Sequence, residues 1–327
     1  MSLDAILDRR LLIISGKGGV GKTTIAVALG VMAARHHRRV LIAEVEGKSA
    51  VANLLGGPPL TPEPRELRPG LWAMEVSPEE ALREYFEIQF HAGRVARPLV
   101  SSQLVYYVTH AAPGLRDILT LGKVWYRIAR KGQFDLGILD TPAAGHAVSM
   151  LRAPEGFLEA VPVGTLATQA RRVSDWLHDP DQVAVHLVSL AEETPVKETL
   201  ETAALLRERA KLDVDWVHVN MLYPPFAEDP ALEAALGRLK TFRGLRPRTK
   251  GATPLDDKRA KALFAAGQFY RERRATQQEH RASLVKGLAG SASLVDLPFL
   301  FGDGFGSKEL ELLADAIEEQ AAAVGQR

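Results

Sequence analysis

Short apolar runs alternate with helical stretches from the start of the chain. Residues 11–14 form an apolar run that ends at a glycine turn, and residues 40–43 form another after two arginines. Between them, residues 23–34 carry alanine and leucine at helical spacing. A buried strand, a glycine-rich loop, a helix and a second buried strand together predict a βαβ unit.

Later apolar runs extend this arrangement along the chain. They occupy residues 136–139, 185–190, 216–219 and 293–295. Because helical segments separate the runs, they predict a doubly wound, mostly parallel α/β sheet flanked by helices. Residues 58–69 contain five prolines and are predicted to be a connecting loop.

Helical periodicity with little strand character marks the region between the second strand and residue 136. It covers residues 78–90 and 115–131, and a further helical stretch covers residues 155–177. These segments predict a helical subdomain inserted into the sheet domain. Another long helix, over residues 256–288, is dense in charge and is expected to pack on the flank of the sheet.

Composition places the chain among ordinary globular proteins. Its 327 residues are 46% hydrophobic and 25% charged, which provides for a large core and excludes wholesale disorder. Lysine and arginine total 41 against 40 acidic residues, so no specific nucleic-acid partner is expected. Residues 238–250 hold six basic residues and no acidic one, which fits either a solvated loop or a site for an anionic or lipid partner.

The chain has no cysteine. This excludes disulfides, thiolate zinc sites, iron–sulfur ligation, thiol nucleophiles and cysteine-bound arsenite. No apolar run reaches the roughly 18 residues that span a membrane, and the N-terminus lacks the features of a secretory signal. These features predict a cytoplasmic protein.

A glycine-rich loop joins the first strand to the first helix and carries the candidate chemistry. Its residues contain the phosphate-loop pattern G-x-x-x-x-G-K-[ST] and are Gly16, Lys17, Gly18, Gly19, Val20, Gly21, Lys22, Thr23 and Thr24. Glycines permit backbone angles that turn successive N–H groups inward, and the helix N-terminus attracts the same phosphates. Lys22 is expected to reach the β- and γ-phosphates of ATP, and the Thr23 hydroxyl to ligate Mg²⁺.

Lys17, the lysine that the loop carries in addition to Lys22, narrows the choice of protein family. Lys17 after the first glycine gives GKGGVGKTT, which resembles the deviant Walker A signature of the ArsA, MinD, ParA and nitrogenase-iron-protein ATPases. In that family two subunits face each other across nucleotide. The resemblance therefore implies a dimer in which Lys17 reaches the partner's ATP and compensates charge in the transition state, as an arginine finger does elsewhere.

The segment that follows residues 136–139 indicates one branch of that family. Asp140 ends the predicted strand, where a carboxylate can hold Mg²⁺ directly or through water. It opens the sequence DTPAAGH, which resembles the DTAPTGHT switch of ArsA and of the eukaryotic ATPase that targets tail-anchored proteins. Gly145 and His146 match that switch, whereas the proline is displaced by one position, to Pro142.

Two later positions continue the resemblance. Asn220 ends a predicted strand where the family has an adenine-reading asparagine, and an amide can both donate to adenine and accept from it. Pro298 matches the family's loop that covers the adenine. The resemblance therefore implies that both residues bind the nucleotide base.

The catalytic position after the second strand departs from the family. Where ArsA-type proteins have Asp-Pro-Ala-His, this chain has a run that contains Glu44 and Glu46. The register places Glu46 at the water-orienting aspartate, and because its carboxylate is one methylene further out we expect slow hydrolysis. An alternative register uses Glu44, and both could also be ordinary strand-end carboxylates. Similar sequences in paired bacterial ArsA-like ATPases imply a heterodimer with a sister chain.

Glu198 follows a predicted strand on a segment that opens a helix. It could contact a partner or a nucleotide across the dimer. The alternative is a capping box in which Thr194 caps the helix.

These motifs divide the chain into a core and an insertion. The nucleotide-binding core is predicted to comprise residues 1–77, residues 134–152 with the switch, and residues 183–327 with the adenine side and C-terminal helices. Residues 78–133 and 153–182 are predicted to form the two parts of the helical insertion.

The predicted function is that of a Mg-ATP-dependent dimeric ATPase of the ArsA type. It would couple ATP hydrolysis to the handling of an anion, a protein or a membrane-segment cargo. The expected partner is a second copy or a related ATPase subunit, with a membrane protein or a hydrophobic segment as a candidate client. The alternatives are a catalytically weak, nucleotide-bound scaffold working with a sister subunit, and a factor that targets hydrophobic segments.

Overall fold

The computed structural model describes residues 4–45, 49–90, 114–225, 230, 257–302 and 304–324. Within these residues eight strands form one sheet. They are β1 (Leu11–Gly16), β2 (Val40–Val45), β3 (Arg65–Arg68), β4 (Leu71–Val76), β5 (Leu136–Asp140), β6 (Val183–Leu190), β7 (Trp216–Leu222) and β8 (Ser293–Pro298). Their order across the sheet is β3-β4-β2-β5-β1-β6-β7-β8, and all neighbours are parallel except β3 and β4.

Ten α-helices are described in the same part of the chain. They are α1 (Asp4–Leu7), α2 (Lys22–Arg35), α3 (Ala50–Leu55), α4 (Pro78–Phe90), α5 (Leu115–Trp125), α6 (Ala144–Ala160), α7 (Thr165–Leu177), α8 (Glu193–Leu205), α9 (Asp257–Leu288) and α10 (Ser307–Val324). α5 continues as the π-helical turn Tyr126–Arg130, and α8 as the π-helical turn Leu206–Ala210. None of the described helices combines the length and apolar character needed to cross a membrane.

Helices cover both faces of the sheet, and the strands are apolar on both sides as a result. Leu12 and Ile14 of β1 face a core shared with α2, α3 and α10, whereas Leu11 and Ile13 face the core on the opposite side. All four side chains are fully buried. Such two-sided burial is typical of parallel sheets with helical crossovers, and it confirms the predicted fold class.

The prediction for residues 58–69 was wrong in part. Arg65–Arg68 forms β3, which pairs antiparallel with β4 at the edge of the sheet, and β4 pairs parallel with β2. The sequence of β3 is Arg-Glu-Leu-Arg and is partly exposed, so it lacks the apolar run that identifies an interior strand. The expectation of little strand character before residue 136 also overlooked β4.

The single helix predicted over residues 155–177 is in fact two helices. α6 ends at Ala160, and Val161 takes the non-helical angles φ −134° and ψ 83°. Pro162 follows directly, and a proline disfavours helical angles at the residue before it. Gly164, with a φ of +108°, then precedes α7. Apolar spacing alone did not reveal this interruption.

Helices α4 to α7 also pack on each other through two small clusters apart from the main core. One small apolar cluster joins α4 to α5 through Ala81, Leu82, Leu115 and Leu119. Another joins α5, α6 and α7 through Ile118, Ala153 and Ala170. The boundaries of the helical insertion stay a prediction, because residues 91–113 lie outside the described part of the chain, as do the basic residues 238–250.

Candidate functional site

The candidate site lies at the carboxyl ends of the central strands. The loop between β1 and α2 begins at the end of β1, and Asp140 at the end of neighbouring β5 pairs in register with Ile14. Glu44 near the end of β2 pairs in register with Asp140. Ligands of doubly wound sheets bind at this edge, where helices lead away on both faces.

Two glycines of the loop occupy positions where any side chain would be strained. Gly16 has a φ of +145°, and a Cβ there would lie 2.3 Å from the carbonyl oxygen of Val188 on β6. Gly21 has a φ of +96°, and a Cβ there would lie 2.4 Å from Nδ2 of Asn220 on β7. The loop is therefore held against two neighbouring strands by close contacts that require glycine.

Lys22, Thr23 and Asp140 are brought together under the loop. The Thr23 hydroxyl donates to Oδ2 of Asp140 at 2.6 Å, and Lys22 Nζ donates to the Lys17 carbonyl at 3.2 Å. Burial lowers the pKa of Lys22, and the charge of Asp140 opposes that shift. Burial raises the pKa of Asp140 to about 6, with Glu44 adding to the rise and the Thr23 hydrogen bond and Lys22 opposing it.

The Thr23–Asp140 contact fits a divalent-cation site. Oδ1 of Asp140 is buried and has no hydrogen-bond partner among the described residues. Mg²⁺ prefers such oxygens and commonly takes only one or two from the protein, with phosphates and waters supplying the others. The described residues contain no group of three or more His, Cys, Asp or Glu side chains that could hold a metal.

Of the two candidate catalytic glutamates, the structure describes Glu44 but not Glu46. Glu44 is 2% exposed, and its two oxygens accept the N–H groups of Ala50 at 2.9 Å and Val51 at 3.1 Å. These contacts use its carboxylate to hold the start of α3. Glu46, the preferred candidate, lies outside the described residues, so its role stays a prediction.

Lys17 contacts an acidic residue of its own chain. Its Nζ lies 2.7 Å from Oε1 of Glu198 on α8, and the two side chains are 38% and 39% exposed. The capping-box alternative for this segment is wrong, because α8 begins at Glu193 and Thr194 lies inside it. The helix has no side-chain cap. Glu198 is thus a direct neighbour of the phosphate loop.

Asn220 lies two residues before the end of β7, and Pro298 ends the adjacent strand β8. The Asn220 side chain is turned inward, where Nδ2 donates to the Val20 carbonyl at 2.9 Å and Oδ1 accepts from the Met221 N–H at 2.9 Å. Pro298 ends β8 and pairs with Leu222. The described contact of Asn220 is therefore with the phosphate loop, and its contact with a base stays a prediction.

The switch-like segment connects the sheet to the helical region. Thr141 donates its hydroxyl to the Ile14 carbonyl at 2.8 Å, which ties the segment to β1. His146 on α6 has its Nε2 3.8 Å from Oδ1 of Asp117 on α5. Sequence reasoning missed Asp117, because nothing in its local sequence distinguishes it and only the packing of α5 beside α6 brings it here.

Comparison with known proteins finds relatives with ATPase names. A family profile described as anion-transporting ATPase matches residues 9–163. ATPase BagA of Mycobacterium tuberculosis is 34% identical over 236 residues, which cover 69% of this chain and 69% of that protein. The arsenical pump-driving ATPase of Acidiphilium multivorum is 28% identical over 255 residues, 69% of this chain and 42% of that protein. ATPase ARSA1 of Chlamydomonas reinhardtii is 25% identical over 268 residues, 73% of this chain and 32% of that protein.

Proposed function

This chain belongs to the anion-transporting ATPase family, and on that basis we propose that it is a Mg-ATP-dependent ATPase of the ArsA type that acts as a dimer. In the reaction, water attacks the γ-phosphorus of ATP, the bond to the β-phosphate oxygen breaks, and ADP and phosphate leave. The observation that carries the proposal is the 2.6 Å contact of Thr23 with Asp140 beside Lys22, under a glycine loop at the carboxyl edge of the sheet.

The loop and its neighbours would hold the phosphates and the metal ion. The N–H groups of the loop and the N-terminus of α2 would face the phosphate oxygens, with Lys22 contributing its charge. Thr23 and Asp140 would hold Mg²⁺, which when bound neutralises charge on the β- and γ-phosphates. The unpartnered Oδ1 of Asp140 supports this assignment.

Lys17 would complete the site of the opposite subunit. In the described chain its ammonium is paired with Glu198, and the trans role requires that it exchange this carboxylate for the partner's phosphate. The exchange is inexpensive, because partly exposed ion pairs stabilise a protein by at most about 1 kcal/mol. Glu46 would orient the attacking water, with slow turnover expected from its longer side chain.

Hydrolysis would change the arrangement of the helical region. Loss of the γ-phosphate would release the segments around Glu46 and Gly145, and α6 would carry that change to α5 through His146 and Asp117. The cargo would be an anion, a protein or a membrane segment. One relative is named for driving an arsenical pump, but the lack of cysteine here argues against arsenite held by thiolates.

A nucleotide-bound scaffold is the second candidate. It is favoured by the glutamate at the catalytic position and by a Lys17 that is already satisfied within its own chain. Such a protein would bind ATP and recruit a sister subunit without useful turnover. Glu46→Gln and Lys17→Ala separate the two, because only an ATPase loses turnover in both variants.

The decisive test combines hydrolysis with mass in solution. Steady-state ATP hydrolysis with Mg²⁺ is measured over a range of protein concentrations, and the mass is measured with and without a non-hydrolysable ATP analogue. Turnover that rises more than linearly with protein concentration, together with an analogue-dependent dimer, supports the ATPase. Binding without turnover or dimer favours the scaffold with a sister subunit, and absence of nucleotide binding contradicts both.

A further inference from the structure

Strand β7 ends in an irregular turn beside the phosphate loop. Its pairing with β8 shifts register between Val219 and Leu222. Within this bulge Met221 has a φ of +58°, a left-handed conformation that a non-glycine residue adopts only at a cost of about 1 kcal/mol or more. Such a conformation persists only where surrounding contacts impose it.

One side chain of α9 supplies two of those contacts. The amide of Gln277 donates from Nε2 to the Met221 carbonyl at 2.9 Å and accepts at Oε1 from the Tyr223 N–H at 2.8 Å. Gln277 is 5% exposed. Its two ends thus replace the ladder hydrogen bonds that the bulge removes from the strand, and they hold the backbone on both sides of Leu222.

The bulge is connected directly to the phosphate loop. The Met221 N–H donates to Oδ1 of Asn220, and Nδ2 of the same side chain donates to the Val20 carbonyl. Because the trans peptide unit is planar, a Val20 carbonyl that faces Asn220 directs the Gly21 N–H to the opposite side. That N–H belongs to the set that would receive phosphate, and the close contact of Asn220 with Gly21 fixes its position.

We propose that Gln277 is a positioning residue for the nucleotide, which acts through Met221 and Asn220 on the backbone of the phosphate loop. The inference rests on the proposed function, since it assumes that this loop binds phosphate. It adds a residue of α9 whose described hydrogen bonds are with Met221 and Tyr223 rather than with the loop. The conformation of the loop would accordingly depend on how α9 is seated against β7.

The chain offers a matched control in Gln320 of α10. Its amide holds β8 in the same two-ended manner, accepting from the Asp296 N–H at 2.8 Å and donating to the Asp296 carbonyl at 2.5 Å. β8 is the edge strand beyond β7, one strand further from the loop. Loss of either glutamine removes a strand clamp, but only Gln277 is linked through Asn220 to Val20.

The experiment compares Gln277→Glu with Gln320→Glu. Mg-ADP affinity is measured by titration calorimetry from pH 8 to pH 5.5, each variant is expressed relative to the wild type at the same pH, and urea unfolding monitors stability. A carboxylate can still accept from Tyr223 but repels the Met221 carbonyl, so Gln277→Glu should bind Mg-ADP about tenfold more weakly at pH 8. Gln320→Glu should stay within about twofold of the wild type.

Protonation provides a rescue that a merely structural role would not give. A buried glutamic acid has a raised pKa, and in its neutral form the O–H can donate to the Met221 carbonyl as the amide did. The affinity ratio of Gln277→Glu should therefore return towards one as the pH falls. Gln277→Ala has no group to protonate, so its affinity for Mg-ADP should remain about fivefold weaker than that of the wild type at every pH. This variant also serves as the test if the glutamate variant does not fold.

The outcomes separate the inference from the function on which it rests. Wild-type affinity in Gln277→Glu and Gln277→Ala, or an equal loss in Gln320→Glu, overturns the positioning role alone. A wild-type chain that fails to bind Mg-ADP overturns the proposed function and the inference with it. A pH-dependent loss confined to position 277 supports the path through Asn220.

Discussion

Two polar pairs at this sheet differ chiefly in their burial. His186 of β6 and His218 of β7 stack inside the protein with ring centroids 5.2 Å apart, and both are fully buried. Lys17 and Glu198 meet at the rim of the phosphate loop, with 38% and 39% of their side chains exposed. Each pair joins two elements next to the candidate site, yet the two pairs respond differently to change.

Burial determines what each pair can do. It lowers the pKa of His186 well below the ordinary value, with the charges of His218 and Arg9 adding to the shift, and it lowers the pKa of His218 to about 3. The rings therefore stay neutral and joined by one hydrogen bond of 2.9 Å, so a change there disturbs buried contacts between β6 and β7. The partly exposed Lys17 can change partners at small cost, so a ligand-dependent step is expected at the rim.

The largest expected effect is an acid instability caused by the histidine pair. Because the folded pKa values of His186 and His218 are lowered, these two rings gain protons only in the unfolded chain as the pH falls below about 6.5. Stability should then decrease by up to about 1.4 kcal/mol per pH unit for each histidine. Urea unfolding between pH 7.5 and 5 measures this slope, and the double variant His186→Leu/His218→Leu should reduce it.

A surface histidine provides the control for that measurement. His36 contacts Glu318 at 2.9 Å with 37% of its side chain exposed. His36→Gln removes a histidine that is not buried, so it tests whether the loss of any histidine, rather than of the buried pair, changes the slope. An identical slope in the wild type and the double variant would show that the buried pair does not govern acid stability.

The next effect separates the two lysines of the loop. Lys22→Ala should weaken Mg-ATP binding by a single chain by roughly 100-fold, because a charged contact to the phosphates is lost. Lys17→Ala should leave that affinity within about threefold, since its proposed ligand lies in the partner. Fluorescence titration makes the comparison at a protein concentration below the dissociation constant of the dimer. Equal losses in both variants would place Lys17 at its own nucleotide.

Two glycines of the phosphate loop show the same contrast, since one is in close contact with a buried side chain and the other has open space around it. Gly21→Ala puts a Cβ at a φ of +96° against the buried Asn220 amide and should destabilise the fold by roughly 1–3 kcal/mol. Gly18→Ala meets no atom within 4 Å and has no positive φ to strain, so its stability should change by less than about 0.5 kcal/mol. Thermal unfolding of both variants tests this, and equal losses would contradict the close contact with β7.

The sequence predicted those parts of the molecule that require particular residue types. Apolar runs located β1, β2 and β5 to β8 but not β4, and the loop motif located Lys22 and Thr23, because buried parallel strands and phosphate loops each require particular residue types. Charged β3 carried no such signal. Neither did Gln277 or Asp117, whose neighbours come from distant segments and whose roles depend on how helices are seated on the sheet. Such contacts become visible only when the packing is known.

A small effect on stability, and the sharpest effect on assembly, is expected at Glu198. Glu198→Gln weakens an exposed ion pair and should change the free energy of unfolding by less than about 1 kcal/mol. If Lys17 must leave Glu198 to reach a partner's nucleotide, the same variant should tighten the analogue-dependent dimer by up to about fivefold. Glu201→Gln removes an exposed charge from the same helix and should leave the dimer unchanged. Sedimentation velocity measures the dimer of both variants. A weaker dimer in Glu198→Gln alone would mean that Glu198 itself contacts the partner, and that its ion pair with Lys17 does not restrain Lys17.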